Sequence, residues 1–287
     1  MIVIIASIVV IGAVLGGFTM AGGQVGALIH PSEIVTIGGA SLGALVMMST
    51  KKVLVDLVHG IIGAIKGTPY NRAAYTDLFK LMYELLRVAR RDGLLALEPH
   101  LNDPHTSKIF EKYPRIAKNH HVVDFICDGL APVVEGSADA EQIRSLLDAE
   151  LRVIEEEHHA AVGALQKTAD ALPGFGIVAA VLGIVITMGA IDGPVHEIGH
   201  KVGAALVGTF LGILMSYGFF GPLAGRMECL GAAELGFFRT ISAVILGLVQ
   251  DATPKVALEQ ARRGVGTEFR PKRVDLEKLF KDVDAEG

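Results

Sequence analysis

Four stretches, each about long enough to cross a bilayer core as a helix, carry no charged side chain, and nothing else constrains this chain as strongly. No Asp, Glu, Lys or Arg precedes Glu33. The runs Ile34–Thr50, Ala171–Ile191 and Val202–Gly225 are likewise uncharged. Charged residues make up 20% of the chain and its mean hydropathy is +0.47, which excludes a disordered chain, a coiled coil, a collagen and a disulfide scaffold. Cys127 and Cys229 lie far apart and form no metal motif. The net charge of -5 gives no pointer to nucleic acid. The first run lacks a basic leader and exceeds the apolar core of a secretory signal, roughly 7–15 residues, so it reads as a retained span. It covers Met1 to Ala21, and the second span covers Ile34 to Leu54. Thr240–Gln250 is too short to cross and is flanked by Arg239 and Asp251, which predicts a packed or interfacial helix.

The bases set an orientation. Residues 51–170 hold fifteen Lys and Arg and residues 226–287 hold ten, whereas the connector 22–33 has none and 192–201 has only Lys201. Basic residues are retained on the cytoplasmic side. Both short connectors are therefore expected to face outward, with the long loop and both termini in the cytoplasm. The expected fold is an all-α integral membrane protein of four spans. Its segments are 1–54 with two spans, a helical cytoplasmic domain over 55–170, two further spans over 171–225, and a cytoplasmic tail over 226–287.

The long loop reads as helical. Leu78, Met82, Leu85 and Leu86 repeat at helical spacing, with Asp77, Lys80, Glu84, Arg87 and Arg91 between them. Gly93 follows Arg90 and Arg91 as a C-cap. Asp139 with Gln142 three residues on forms a capping box. From there no Pro intervenes before Pro173, which predicts a rod of roughly 50 Å entering the third span.

The spans are rich in small residues, among them Gly12, Gly16, Gly17, Gly38, Gly43, Gly176, Gly183, Gly208 and Gly212. Small faces let helices approach closely in lipid, within one bundle or between copies of an oligomer. By this reading no span holds an ionisable group in its interior, whereas pumps and proton relays place one there. Either the chain conducts nothing or a partner supplies the carboxylate, with Thr187, Thr209, Ser216 and Tyr217 available to line a polar path. Pro173 and Pro222 fall at matching ends of antiparallel spans. They read either as ordinary helix ends or as a matched pair of hinges.

His196-Glu197-Ile198-Gly199-His200 matches the zinc-protease pattern H-E-x-x-H. A catalytic zinc needs a third protein ligand. No His follows His200, Glu228 lies across the fourth span, and Gly193-Pro194 separates Asp192 from the pair. The two histidines are expected to be solvated loop residues, and no metal or cofactor is expected.

Three segments together carry a specific resemblance: Leu172-Pro173-Gly174-Phe175-Gly176-Ile177-Val178-Ala179-Ala180-Val181-Leu182-Gly183, then Val207-Gly208-Thr209-Phe210-Leu211-Gly212 through Tyr217-Gly218-Phe219 and Pro222-Leu223-Ala224, and Arg90-Arg91-Asp92-Gly93-Leu94-Leu95-Ala96-Leu97-Glu98. With the two-plus-two span arrangement they resemble the MotA family of flagellar motor stator subunits. The resemblance weakens over about 255–287. It implies a pentameric ring of such subunits around two single-span MotB-like chains, whose membrane Asp carries the ion, in the bacterial inner membrane. It also implies that Pro173 and Pro222 couple ion passage to conformational change. Arg90 and Glu98 match the charges that engage the rotor protein FliG. Sodium-driven relatives usually carry Thr at the position matching Ala180, so Ala180 with the lone hydroxyl of Thr209 implies a proton. The sister ExbB and TolQ proteins, which energise outer-membrane systems, usually have three spans, and the N-terminal helix pair argues against them.

Overall fold

The computed structural model describes residues 2–189 and 191–286, and among them all regular structure is helical. Thirteen α-helices follow in order: α1 Ile2–Met20, α2 Pro31–Met48, α3 Lys51–Lys66, α4 Arg72–Asp92, α5 Glu98–Asn102, α6 Lys108–Glu111, α7 Pro114–Ala117, α8 His120–Glu135, α9 Ala140–Met188, α10 Val195–Met215, α11 Gly221–Val249, α12 Pro254–Gly264 and α13 Arg273–Glu286. A π-helical segment, Ser216–Phe220, joins α10 to α11 without a break. Among the described residues, four helical stretches are long and apolar enough to cross a membrane.

The chain divides into two compact units. The first comprises 1–67 and 156–230 and contains two of the apolar stretches whole and the larger part of the other two; the second comprises 68–155 and 231–287. In the first unit α1 buries none of its side chains, and Ile2, Ile5, Ile8 and Val9 are exposed. A helix apolar all round needs lipid or another protein surface as its solvent. α2 starts at Pro31, three residues ahead of the expected Ile34, and ends at Met48 rather than Leu54. Proline at the first helical position is pre-set for a helix start. Thr50 caps α3 by accepting from Val53 N–H, which fixes the break between the two helices.

In the second unit α4 is the central helix. Asn71 caps it by accepting from Ala73 and Ala74 N–H, and Gly93 closes it at φ +90°. Leu78, Phe79, Leu81, Met82 and Leu85 are fully buried along it, packed with Phe125, Phe237, Phe238 and Ile245. Each such side chain contributes about 1.5–3 kcal/mol. Glu84 is buried on the same helix and satisfied: Tyr113 Oη donates to it at 2.6 Å and Lys112 Nζ at 2.9 Å. The capping box of α9 is formed, with Gln142 Oε1 accepting from Asp139 N–H and Asp139 Oδ1 accepting from Gln142 N–H, both at 2.9 Å. Thr240–Gln250 is indeed packed, yet as the end of α11 rather than a helix of its own.

The tail, whose resemblance was weakest, completes this core. Leu258, Ala261, Leu276, Leu279 and Phe280 are buried from α12 and α13. Tyr83 Oη donates to Asp284 at 3.0 Å, and burial, with that carboxylate beside it, pushes the phenol up to about 12.

Candidate ion pathway and rotor-facing surface

The membrane site is built where α9 and α10 cross with their backbones almost touching. A Cβ at Gly176 would lie 2.8 Å from Gly208 O and 3.3 Å from Thr209 Cα. One at Gly212 would lie 2.6 Å from Leu172 O, and one at Gly183 would lie 2.7 Å from Ala205 Cβ. Gly176, Gly183, Gly208 and Gly212 are thus consumed by packing within one chain. Gly12, Gly16, Gly38, Gly43 and Gly203 instead have nothing within 4 Å.

Ala180 and Thr209 are both half-buried beside this crossing. Thr187 and Ser216 are buried, and Thr187 Oγ1 donates to Gly183 O at 2.8 Å as helical threonines commonly do. The Thr209 hydroxyl makes no such bond among the described residues. Tyr217 is exposed.

Both prolines lie inside continuous helix, so the reading as simple helix ends does not hold. Pro173 is internal to α9, and Pro222 is the second residue of α11, directly behind the π-helical segment. Proline and π-bulges are both identified causes of helix kinks. α1 leans on that segment, with Val10 Cγ1 3.2 Å from where a Cβ on Gly218 would stand.

Glu33 lies just outside the expected Ile34–Leu54 yet inside α2. The early start of α2 brings it into the first turn of that helix, where it is buried and its Oε2 has no hydrogen-bond partner among the described residues. The signal was present in the sequence: Pro at the first helical position with Glu two residues on is a helix-start pattern. The zinc pattern is corrected too. His196 and His200 lie on α10, not in a loop, and the His200 ring meets His30 edge-on at 6.2 Å. Among the described residues no three His, Cys, Asp or Glu are grouped to hold a metal.

In the second unit Arg90 and Glu98 are exposed, with the exposed Leu94 and Leu95 between them. Arg90 is paired: its Nη1 donates to Asp251 Oδ1 at 2.7 Å. Arg91 binds Asp92, whose carboxyl that guanidinium holds below its ordinary value.

Residues 4–93 match the family model described as motility protein A N-terminal, and residues 117–231 match that of the MotA/TolQ/ExbB proton channel family. A motility protein A from Salmonella typhimurium is 35% identical over 99% of this chain and 96% of its own length. The chain belongs to the motility protein A family. It is a multi-pass membrane protein and a flagellar stator subunit, not an enzyme. The match over 4–93 is to the motility type, so the transport-energising alternative is not favoured.

Solved structures agree on the fold. The flagellar MotAB stator complex from Bacillus subtilis contains a chain of TM-score 0.72 and 25% identity, with 90% of this chain and 92% of that one covered. A chain of C. jejuni MotAB gives a TM-score of 0.78 at 19% identity, over 94% of this chain and 98% of that one.

Proposed function

We propose that this motility protein A family member assembles as a ring, in the manner of a pentamer, around single-span MotB-like chains carrying the ion-binding Asp, and turns proton flow into torque on a FliG-type rotor. Residues 1–54 and 171–225 form the membrane part, and 55–170 with 226–287 the cytoplasmic part. Both termini face the cytoplasm. Pro173 and Pro222 act as the hinges, Ala180 and Thr209 as the ion-selecting pair, and Arg90 and Glu98 as the rotor contacts.

One observation supports the proton: the α9–α10 crossing offers the free hydroxyl of Thr209 but only a methyl group at Ala180. A sodium ion leaving water needs several oxygen ligands to replace its hydration shell. A proton needs a carboxylate and a water chain. The electrical driving energy is about 2.3 kcal/mol per proton per 100 mV, of the size that separates two conformations of a typical two-state protein.

Swimming speed at fixed pH tests this. It is expected to persist when sodium is withdrawn and to collapse with a protonophore. Swimming that stops without sodium but survives the protonophore would overturn the assignment.

A further inference from the structure

Glu33 is 7% exposed, lies within the membrane-crossing stretch, and its Oε2 meets no donor among the described residues. Gly208 makes the room for it. A Cβ there would stand 2.6 Å from Glu33 Oε2, 3.1 Å from Ala179 Cβ and 3.3 Å from Ala180 N, so the carboxyl reaches the same point of the α9–α10 crossing as Ala180. An unpaired buried carboxylate costs several kcal/mol. A group kept under that cost is suited to holding a proton and giving it up.

The approach to Glu33 carries two imidazoles. His30 precedes α2, one helical turn before Glu33. Its Nε2 lies 3.1 Å from Ala27 O, and its ring meets that of His200. His200 is exposed, His30 half-buried and Glu33 buried, so burial deepens along the three groups. Of the elements packed here, α10 also carries His196, Glu197 and Lys201, with Asp192 just before it. α1, the turn Val25–Leu28 and the membrane stretch of α9 from Ala171 carry no charge. No described ion pair joins those flanking groups to Glu33.

Resting on the proton reading above, we propose that His200 and His30 are a proton-collecting pair at the mouth of the pathway and that Glu33 is the acceptor they feed. The step is a plain transfer. An imidazolium N–H bond breaks, an O–H bond forms on the Glu33 carboxylate, and the neutral imidazole is refilled by hydronium from solvent. Histidine, ordinarily titrating near about 6.5, exchanges protons in the neutral range where a carboxylate alone is rarely protonated.

The test uses the full chain with its partner, in a host lacking its own stator, and reads swimming speed across external pH. His30→Gln with His200→Gln should leave speed unchanged at acidic external pH, where hydronium is plentiful. At alkaline pH it should slow swimming by roughly two-fold or more, a small part of what local charge focusing can supply. Glu33→Gln should slow it at every pH and Glu33→Asp should restore most of it, with membrane level and partner retention unchanged in all variants. A double-histidine profile that coincides with the unaltered chain at every pH overturns the collecting pair. Wild-type speed from Glu33→Gln overturns the acceptor. Sodium withdrawal on the unaltered chain separates these failures from failure of the proton reading, since only the latter stops swimming there.

Discussion

Arg90 is exposed but already engaged. Its partner Asp251 is 88% exposed and is the one non-glycine at positive φ among the described residues, at +60°. Asp tolerates that left-handed conformation better than most residues. The turn after α11 therefore holds a carboxylate against the guanidinium. A surface pair of this kind is worth about 0–1 kcal/mol, so its role is orientation rather than stability. A rotor carboxylate must share or displace Asp251. Arg90→Glu should therefore slow swimming in part, on the order of two- to five-fold by the energy of one rim pair, while Asp251→Asn should leave it equal or slightly faster. Both variants should reach the membrane at normal levels with melting temperatures near that of the unaltered chain. An Arg90→Glu protein that fails to fold would instead make Arg90 a structural residue. The pairing itself was invisible in the sequence, since 161 positions separate the partners. Glu33 was missed for a different reason. A charge-free count places the span after the last charge, whereas the helix begins at the proline before it.

At the scale of elements, local chemistry was readable and irregular backbone was not. The caps at Gly93 and Asp139 formed because each satisfies its own helix end within a few residues. The continuation of α9 through Pro173 follows from packing, which outweighs the lost hydrogen bond, and the π-helical segment before Pro222 has no sequence signature of its own. Small residues were readable as a class, but which of them face a neighbour in the same chain depends on the crossing. That distinction is measurable. Gly212→Leu forces a side chain onto Leu172 O and Gly176 and should destabilise the α9–α10 pair by about 1–3 kcal/mol, lowering the melting temperature of the detergent-purified chain. Gly16→Leu meets open space and should leave that melting temperature unchanged, showing itself only where α1 faces another molecule. Equal destabilisation by both changes would mean that α1 packs in the same way.

At the scale of the whole molecule the four spans were legible because charge is excluded from hydrocarbon, a rule that needs no knowledge of packing. The core of the second unit was only half legible. It joins 68–155 to 231–287, and the burial of Leu276, Leu279 and Phe280 is earned against α4, far away in the chain. Charge alone predicts the orientation. Fifteen bases in 51–170 and ten in 226–287 face none in 22–33 and one in 192–201. Holding Lys and Arg inside costs nothing, whereas translocating them opposes the basis of insertion. An enzyme reporter that needs the oxidising exterior to form its disulfides should be active when inserted at Gly23 or Gly193 and silent at Gly136 or after α13. Gly136 is a suitable site because it ends α8 in the left-handed conformation at an exposed turn. Activity at Gly136 with silence at Gly193 would invert the molecule. His30, His200 and Glu33 would then open to the cytoplasm, and the proton would have to be collected from the other end.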